Sequence, residues 1–421
     1  MRSINRAIAI LPAYQLGDLR VPGPDEDTFT LAIAALEGLA RSATPPSRLY
    51  LIGEFSPVAD WGFQSYLDSE GLVLERYPSG SEGLFRALVA AAQTTSDPAP
   101  TVVVAAEVAT PTQDLILPSF GGGALAFHLA EGAGILPLET TNVPLGSASS
   151  DSDQATLRLM DSIPASPGRA SSNQEDASRA LPGWGNAPTL GPGLGIHRLG
   201  RKLANGATGG LEDRTTRSTN RLTLQRDGEV AWLGAFGEIP GAGVMVTDDV
   251  WRRSFDRPTH SVSEGAYVPR ARYIENLPSR WKFEASRCSA CGAYALPPRT
   301  ICPRCYDAHG MVPEGLPRDG GTIVASTTIG PGGQPTEFDS QVELTGGYQV
   351  VLVELAPGIR VTLQVSDAPP GRLEIGDQVG SRLRRLYAME GEWRYGRKAV
   401  PFDSRSDAGT QPSLERWAPP Q

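Results

Sequence analysis

The amino-acid sequence predicts an α/β domain followed by a cysteine-rich metal ribbon and a small all-β barrel. Three observations predict it. Strand-like and helix-like segments alternate over residues 1–140, all four cysteines fall within residues 287–305, and from Gly321 onward apolar residues alternate with period two. At 421 residues the chain exceeds one typical domain, so two or three cores are expected.

In the first region, INRAIAIL predicts a strand, PDEDTFTLAIAALEGLA a helix, SRLYLIGEF a strand, SGSEGLFRALVAAAQ a helix and TVVVAAEVA a strand. That order implies a layered α/β domain over residues 1–144. Asp25, Glu26 and Asp27 sit where the first helix begins, and unpaired N–H groups favour negative charge there. Phe29, Leu31, Ile33, Leu36 and Leu39 surround most of its circumference and predict burial on more than one side. Ser79 and Glu82 have capping-box spacing at the start of the second helix. FGGGALAFHLAEG reads as a glycine-rich turn entering another strand.

Residues 145–190 change to Ser, Pro, Gly and Asp without periodicity, which predicts a mobile linker or long insertion. Residues 191–270 have no assigned fold, a remnant of the first domain's fold being one reading, although EVAWLGAFGE and GAGVMVTDD look like strands. The ribbon with a leading helix is expected over 271–317. Over 318–402, GTIVASTTIG, the two arms of YQVVLVELAPGIRVTLQVSD, DQVGSRLRRLY and EWRYGRKAVPF make five short strands, which suit an OB-fold. Residues 403–421 read as a disordered tail.

Cys288 and Cys291 form one Cys-x-x-Cys pair and Cys302 and Cys305 another, with ten residues between the pairs. Such turns aim two thiolates each at one ion, and Gly292 permits the first tight turn. Four thiolates complete a tetrahedral zinc shell with no position open for a reacting water, so one structural zinc per chain is expected. Dispersed disulfide spacing is absent, and no apolar run approaches the roughly 20 residues of a membrane span. The arginines before the first apolar run are read as part of a strand, not a leader, and a cytoplasmic location is expected.

A net charge of −9 disfavours a general binder of polyanions, membranes included. The barrel raises single-stranded nucleic acid as a reading, but the chain has three lysines and no interleaving of aromatic and basic residues along the strands. No nucleic-acid partner is expected. Basic residues nonetheless gather in the last two predicted strands, as Arg382, Arg384, Arg385, Arg394, Arg397 and Lys398.

RYIENLPSRWKFEASRCSACGAYALPPRTICPRC, with GTIVASTTI, VLVELAPGIRVTLQV and IGDQVGSRLRR after it, resembles the zinc-ribbon and OB-fold proteins that accompany thiolases and hydroxymethylglutaryl-CoA synthases. The resemblance covers roughly residues 271–402. It implies a scaffold that bridges condensing enzymes and helps enclose CoA, with the six basic residues contacting CoA phosphates or a partner. Residues 4–135 resemble, less closely, the first half of a thiolase-superfamily condensing domain. Aligned on Leu84 and Phe85, the family's nucleophilic cysteine falls on Tyr77, and no cysteine lies nearby. The implied protein is a degenerate thiolase-like domain fused to a ribbon and barrel, without a catalytic residue of its own. It would serve as an accessory subunit to a partner that carries the cysteine. The alternative is an active acyltransferase in which Ser79 or Ser81 acts with a histidine base, although both serines read better as caps and His128 and His197 as packed side chains.

Overall fold

The computed structural model describes residues 1–40, 46–67, 71–94, 99–108, 122–144, 156–160, 174–177, 190–214, 218–234, 244–256, 268–389 and 392–402. The chain forms two compact units, Met1–Asp248 and Asp249–Gln421, so the division falls before residue 270.

In the first unit, eleven strands of the described residues share one mixed sheet. From one edge its order runs Gln174–Ala177, Thr156–Met160, Thr208–Arg214, Ser218–Asp227, Gly134–Pro144, Ser3–Ile10, Gly123–Ala130, Thr101–Glu107, Arg48–Ile52 and Val73–Tyr77, with Ala231–Gly234 also paired to Ser3–Ile10. Arg48–Ile52 pairs in parallel with both Val73–Tyr77 and Thr101–Glu107. Parallel neighbours need crossovers, and the helices Val58–Leu67 and Ser81–Gln93 supply them.

Helices cover both faces of this sheet. Ala7, Ala9, Leu125, Phe127 and Leu129 join a core with Leu84, Phe85 and Leu88 of Ser81–Gln93 and with Leu194, Ile196 and Leu199 of the helix Leu190–Lys202. Side chains alternate across a strand, so Ile8 points the other way. There it meets the helix Thr28–Ala40 so closely that a Cβ on Gly38 would lie 2.0 Å from Ile8 Cδ1. Asp27 caps this helix, its Oδ1 accepting from the Thr30 amide at 2.8 Å.

The helix Val58–Leu67 and the strand Val73–Tyr77 add to the elements read from the sequence. Two stretches that the sequence left without elements also contribute. Thr156–Met160 and Gln174–Ala177, within the 145–190 stretch expected to be a mobile linker or long insertion, are strands of the sheet. Four and five residues of pattern are too short to stand out among serines and prolines. Within 191–270, Leu190–Lys202 is a helix although it contains four glycines and a proline. Those glycines admit close packing, since a Cβ on Gly193 would lie 2.3 Å from Leu125 Cδ1.

The second unit holds the ribbon and the barrel. Two short helices, Arg270–Glu275 and Leu277–Lys282, lead into an antiparallel sheet of Tyr294–Ala295, Glu284–Cys288 and Met311–Gly315. Five strands then form the barrel in the order Ile359–Gln364, Tyr348–Ala356, Asp319–Ile329, Gln378–Met389, Glu392–Pro401. A parallel bridge from Val365 to Ala399 closes it, and a five-stranded closed barrel of this order is an OB-fold. Phe283, Ala285 and Leu316 of the ribbon share one apolar cluster with Ile323, Val351, Val353 and Leu363 of the barrel. Ribbon and barrel are therefore one folding neighbourhood. The tail 403–421 lies outside the described residues, among which no helix is long and apolar enough to cross a membrane.

Candidate metal centre

The two cysteine pairs fold as matching knuckles. In the first, the Gly292 amide donates to the Cys288 carbonyl at 2.8 Å and the Cys288 amide to the Ala293 carbonyl at 2.8 Å. In the second, Tyr306 donates to Cys302 at 3.1 Å and Cys302 to Asp307 at 2.9 Å. Each turn places its fifth residue in the left-handed region, Gly292 at φ 71° and Tyr306 at φ 61°. The Arg304 and Cys305 amides both point at Cys302 Sγ from 3.4 Å, an arrangement that favours thiolate.

All four sulfurs lie within 4.8 Å of one another, with Cys288 to Cys305 at 3.6 Å and Cys291 to Cys302 at 3.5 Å. Sulfurs bound tetrahedrally at about 2.3 Å from zinc stand about 3.8 Å apart. The cluster fits that ion, which would tie residues separated along a loop into one rigid knob. Cys288 and Cys302 are buried, while Cys291 is half-buried and Cys305 exposed.

The family model described as "ChsH2, rubredoxin-like zinc ribbon domain" matches residues 280–312. A DUF35 domain-containing scaffold protein of Methanothermobacter thermautotrophicus is 33% identical over 128 residues, spanning 30% of this chain and 91% of the relative. The chain belongs to the DUF35 family. Among solved structures, the Ltp2-ChsH2(DUF35) aldolase is 24% identical with a TM-score of 0.25, over 32% of this chain and 98% of that one. MvaS in complex with 3-hydroxy-3-methylglutaryl coenzyme A is 14% identical with a TM-score of 0.41, over 64% and 94% of the two chains.

In this DUF35 protein the six basic residues of the last two strands separate into two sets. Arg384, Arg394, Arg397 and Lys398 are buried, at 3%, 1%, 4% and 2% exposure. Arg384 Nη2 donates to both Asp367 carboxylate oxygens, at 3.1 and 2.8 Å. Arg394 lies 5.1 Å from the centre of the Tyr273 ring and pairs with Glu392 at 3.1 Å. Arg397 bonds the carbonyls of Trp281 and Ser381. These guanidiniums fasten the leading helices and the 367 turn to the barrel. Their neighbours are polar in the same sense: Tyr273 hydroxyl donates to the Tyr395 carbonyl at 3.0 Å, and burial raises its pKa. Only Arg382 and Arg385 are half-exposed, Arg385 lying 4.7 Å over the Trp393 ring.

The residues considered for acyl transfer are dispersed. Tyr77 ends an edge strand and packs on Tyr50 at 5.8 Å, with its pKa raised by burial and by Glu75. Ser79 is exposed, and the helix cap is Gly80, with no side-chain cap bond, so neither serine caps. The helix therefore starts one residue later than the capping-box spacing predicts, and its first turn packs closely on the entering chain, since a Cβ on Gly83 would lie 1.9 Å from the Pro78 carbonyl oxygen. Ser81 is instead buried and accepts from Asn220 Nδ2 at 2.9 Å, while Asn220 Oδ1 accepts from Asn142 at 2.8 Å. The Asn220 partnership escaped the sequence because 139 residues separate the two side chains. His128 and His197 are buried, and their pKa values fall to about 4. Burial is the main cause in each, with Arg6 and Arg2 around His128 and Arg201 and Arg198 around His197.

Proposed function

We propose that the protein is a non-catalytic, accessory subunit of an acyl-CoA condensing complex, scaffolding a thiolase-superfamily partner that carries the catalytic cysteine. One observation carries this reading: all four cysteines of the chain are gathered in the metal centre. Acyl transfer in such condensations needs a free thiolate nucleophile, and a thiolate in a closed tetrahedral site is held by the ion. Membership of a family that includes proteins described as scaffolds supports the same reading. Acyl-CoA or partner contacts from the barrel fall to Arg382 and Arg385, which reach solvent, with the buried guanidiniums holding their strands in place.

A serine nucleophile is the competing reading, and the place of Ser81 in the first turn of a helix favours it. Against it, the only hydrogen-bond partner of the Ser81 hydroxyl among the described residues is the Asn220 amide, so no histidine or carboxylate is positioned to take its proton.

Two measurements test the proposal. Purification from the native source should bring down a thiolase-superfamily protein in fixed stoichiometry. Incubation of the isolated protein with labelled acetyl-CoA should leave its intact mass unchanged. A stable acetyl adduct that maps to Ser81 and disappears in Ser81→Ala would replace the accessory role with the enzymatic one.

A further inference from the structure

Resting on the accessory role, we infer that the outer face of the second knuckle, built on Tyr306, Ile301, Arg299 and Arg304, docks an acidic face of the condensing partner.

The two knuckles share a backbone but not a surface. The position after the last cysteine must adopt a left-handed φ in both, and glycine occupies it in the first without steric cost. The second knuckle bears that cost with tyrosine, and the ring obtains nothing from the fold in return. Tyr306 is 78% exposed, and its side chain has no hydrogen bond or ring contact among the described residues. A side chain kept where glycine would relieve the strain marks a place used for something else.

What surrounds the ring has the chemistry of a binding surface. Ile301 is 52% exposed, and together with Pro298, Arg299, Pro303 and Tyr306 it lines one shallow depression. Arg299 and Arg304 are exposed on either side of Ile301, and neither has an ion pair among the described residues. The backbone beneath is stiff, since the Arg299 amide donates to Ser286 Oγ at 3.0 Å and Cys302 belongs to the four-cysteine cluster. A rigid platform with an exposed tyrosine, an exposed aliphatic side chain and two unpaired guanidiniums has the composition of an interface hot spot. The guanidiniums select the occupant: carboxylates rimming an apolar socket complement them. In a chain of net charge −9 such a local positive face is itself a departure from the whole.

The test uses the full chain and the thiolase-superfamily protein that co-purifies with it, in a binding titration. Tyr306→Gly and Ile301→Ser should each weaken binding at least about thirtyfold, and the pair R299E and R304E should both weaken it and flatten its salt dependence. Tyr306→Gly is the decisive variant, because glycine relieves the left-handed position. Its zinc content should stay at one per chain and its thermal midpoint should hold or rise. If every variant binds within threefold of wild type, the docking face is wrong and the accessory role stands. If the wild-type chain binds no condensing protein, the accessory role fails and this inference fails with it. Loss of self-association, or of binding to a 20-nucleotide single strand, in place of partner binding would assign the face to a second copy or to nucleic acid and overturn it.

Discussion

The two units solve the same problem with different materials. In Met1–Asp248 the centre of the sheet is filled with aliphatic and aromatic side chains from both flanking helices, and the strands are long enough for burial to supply the stability. In Asp249–Gln421 the ribbon strands are two to five residues long, too small for a core of their own. The four-cysteine cluster supplies the link that a core would, and in the barrel buried guanidiniums hold the neighbouring turns in one arrangement. Where apolar area is plentiful a region depends on shape, and where it is scarce a region depends on charge and ligation.

The largest way to break that comparison is to remove the metal. Chelation, or Cys302→Ser, should unfold the ribbon, an effect on the order of 10 kcal/mol for structural zinc sites. Hydrogen exchange should then rise in Glu284–Cys288 while Gly123–Ala130 stays protected. Equal loss of protection in both would show that the first unit also relies on the ion.

Shape is tested next by Phe127→Ala. Its ring is fully buried at the centre of the sheet, and emptying such a site should cost about 3–5 kcal/mol. Chemical denaturation should register the loss in the first unit and leave the zinc affinity of the second unchanged.

A smaller change, Arg384→Ala, probes the guanidinium network. It strands the half-buried Asp367 carboxylate, at a cost of about 2 kcal/mol. The loss should appear as faster exchange in Gln378–Met389, and removing both charges with Arg384→Met and Asp367→Ala should recover part of it.

The gentlest probe is acid. His128 and His197 are neutral in the fold down to about pH 4, whereas in the unfolded chain they bind protons below about 6.5. Their contribution to stability is fully present above pH 6.5, declines as pH falls from there towards 4, and changes no further below that. Both lie in the first unit, so a denaturation midpoint followed in Gly123–Ala130 should fall over that range. His128→Gln should flatten the fall, and an unchanged slope would assign the acid response to other groups.

Much of this architecture was legible. The helix Thr28–Ala40 announced itself through its acidic start, and the five barrel strands through alternation. Cys288, Cys291, Cys302 and Cys305 were legible because a metal site assembled by one loop is encoded in short spacing. The helix Leu190–Lys202 was not, since propensity argues against glycine and tertiary packing overrode it. Nor were the strands Thr156–Met160 and Gln174–Ala177, which are stabilised by neighbours in the sheet and not by their own pattern.

What the sequence by itself determined is therefore what is local: the metal ligands, the amphipathic helix starts, the period-two runs and the absence of any thiol outside the ribbon. Only the tertiary structure decided that four of the six basic residues in the last two strands are internal, because the leading helices cover the last strand and the 367 turn covers Arg384, and no one-dimensional pattern says what will pack over a strand. It also decided that Ser81 faces Asn220 instead of capping its helix, and that Tyr306 stands exposed on the position where its twin knuckle carries glycine. Each of these depends on groups distant in sequence or on a backbone angle, and such relations exist only once the chain has closed on itself.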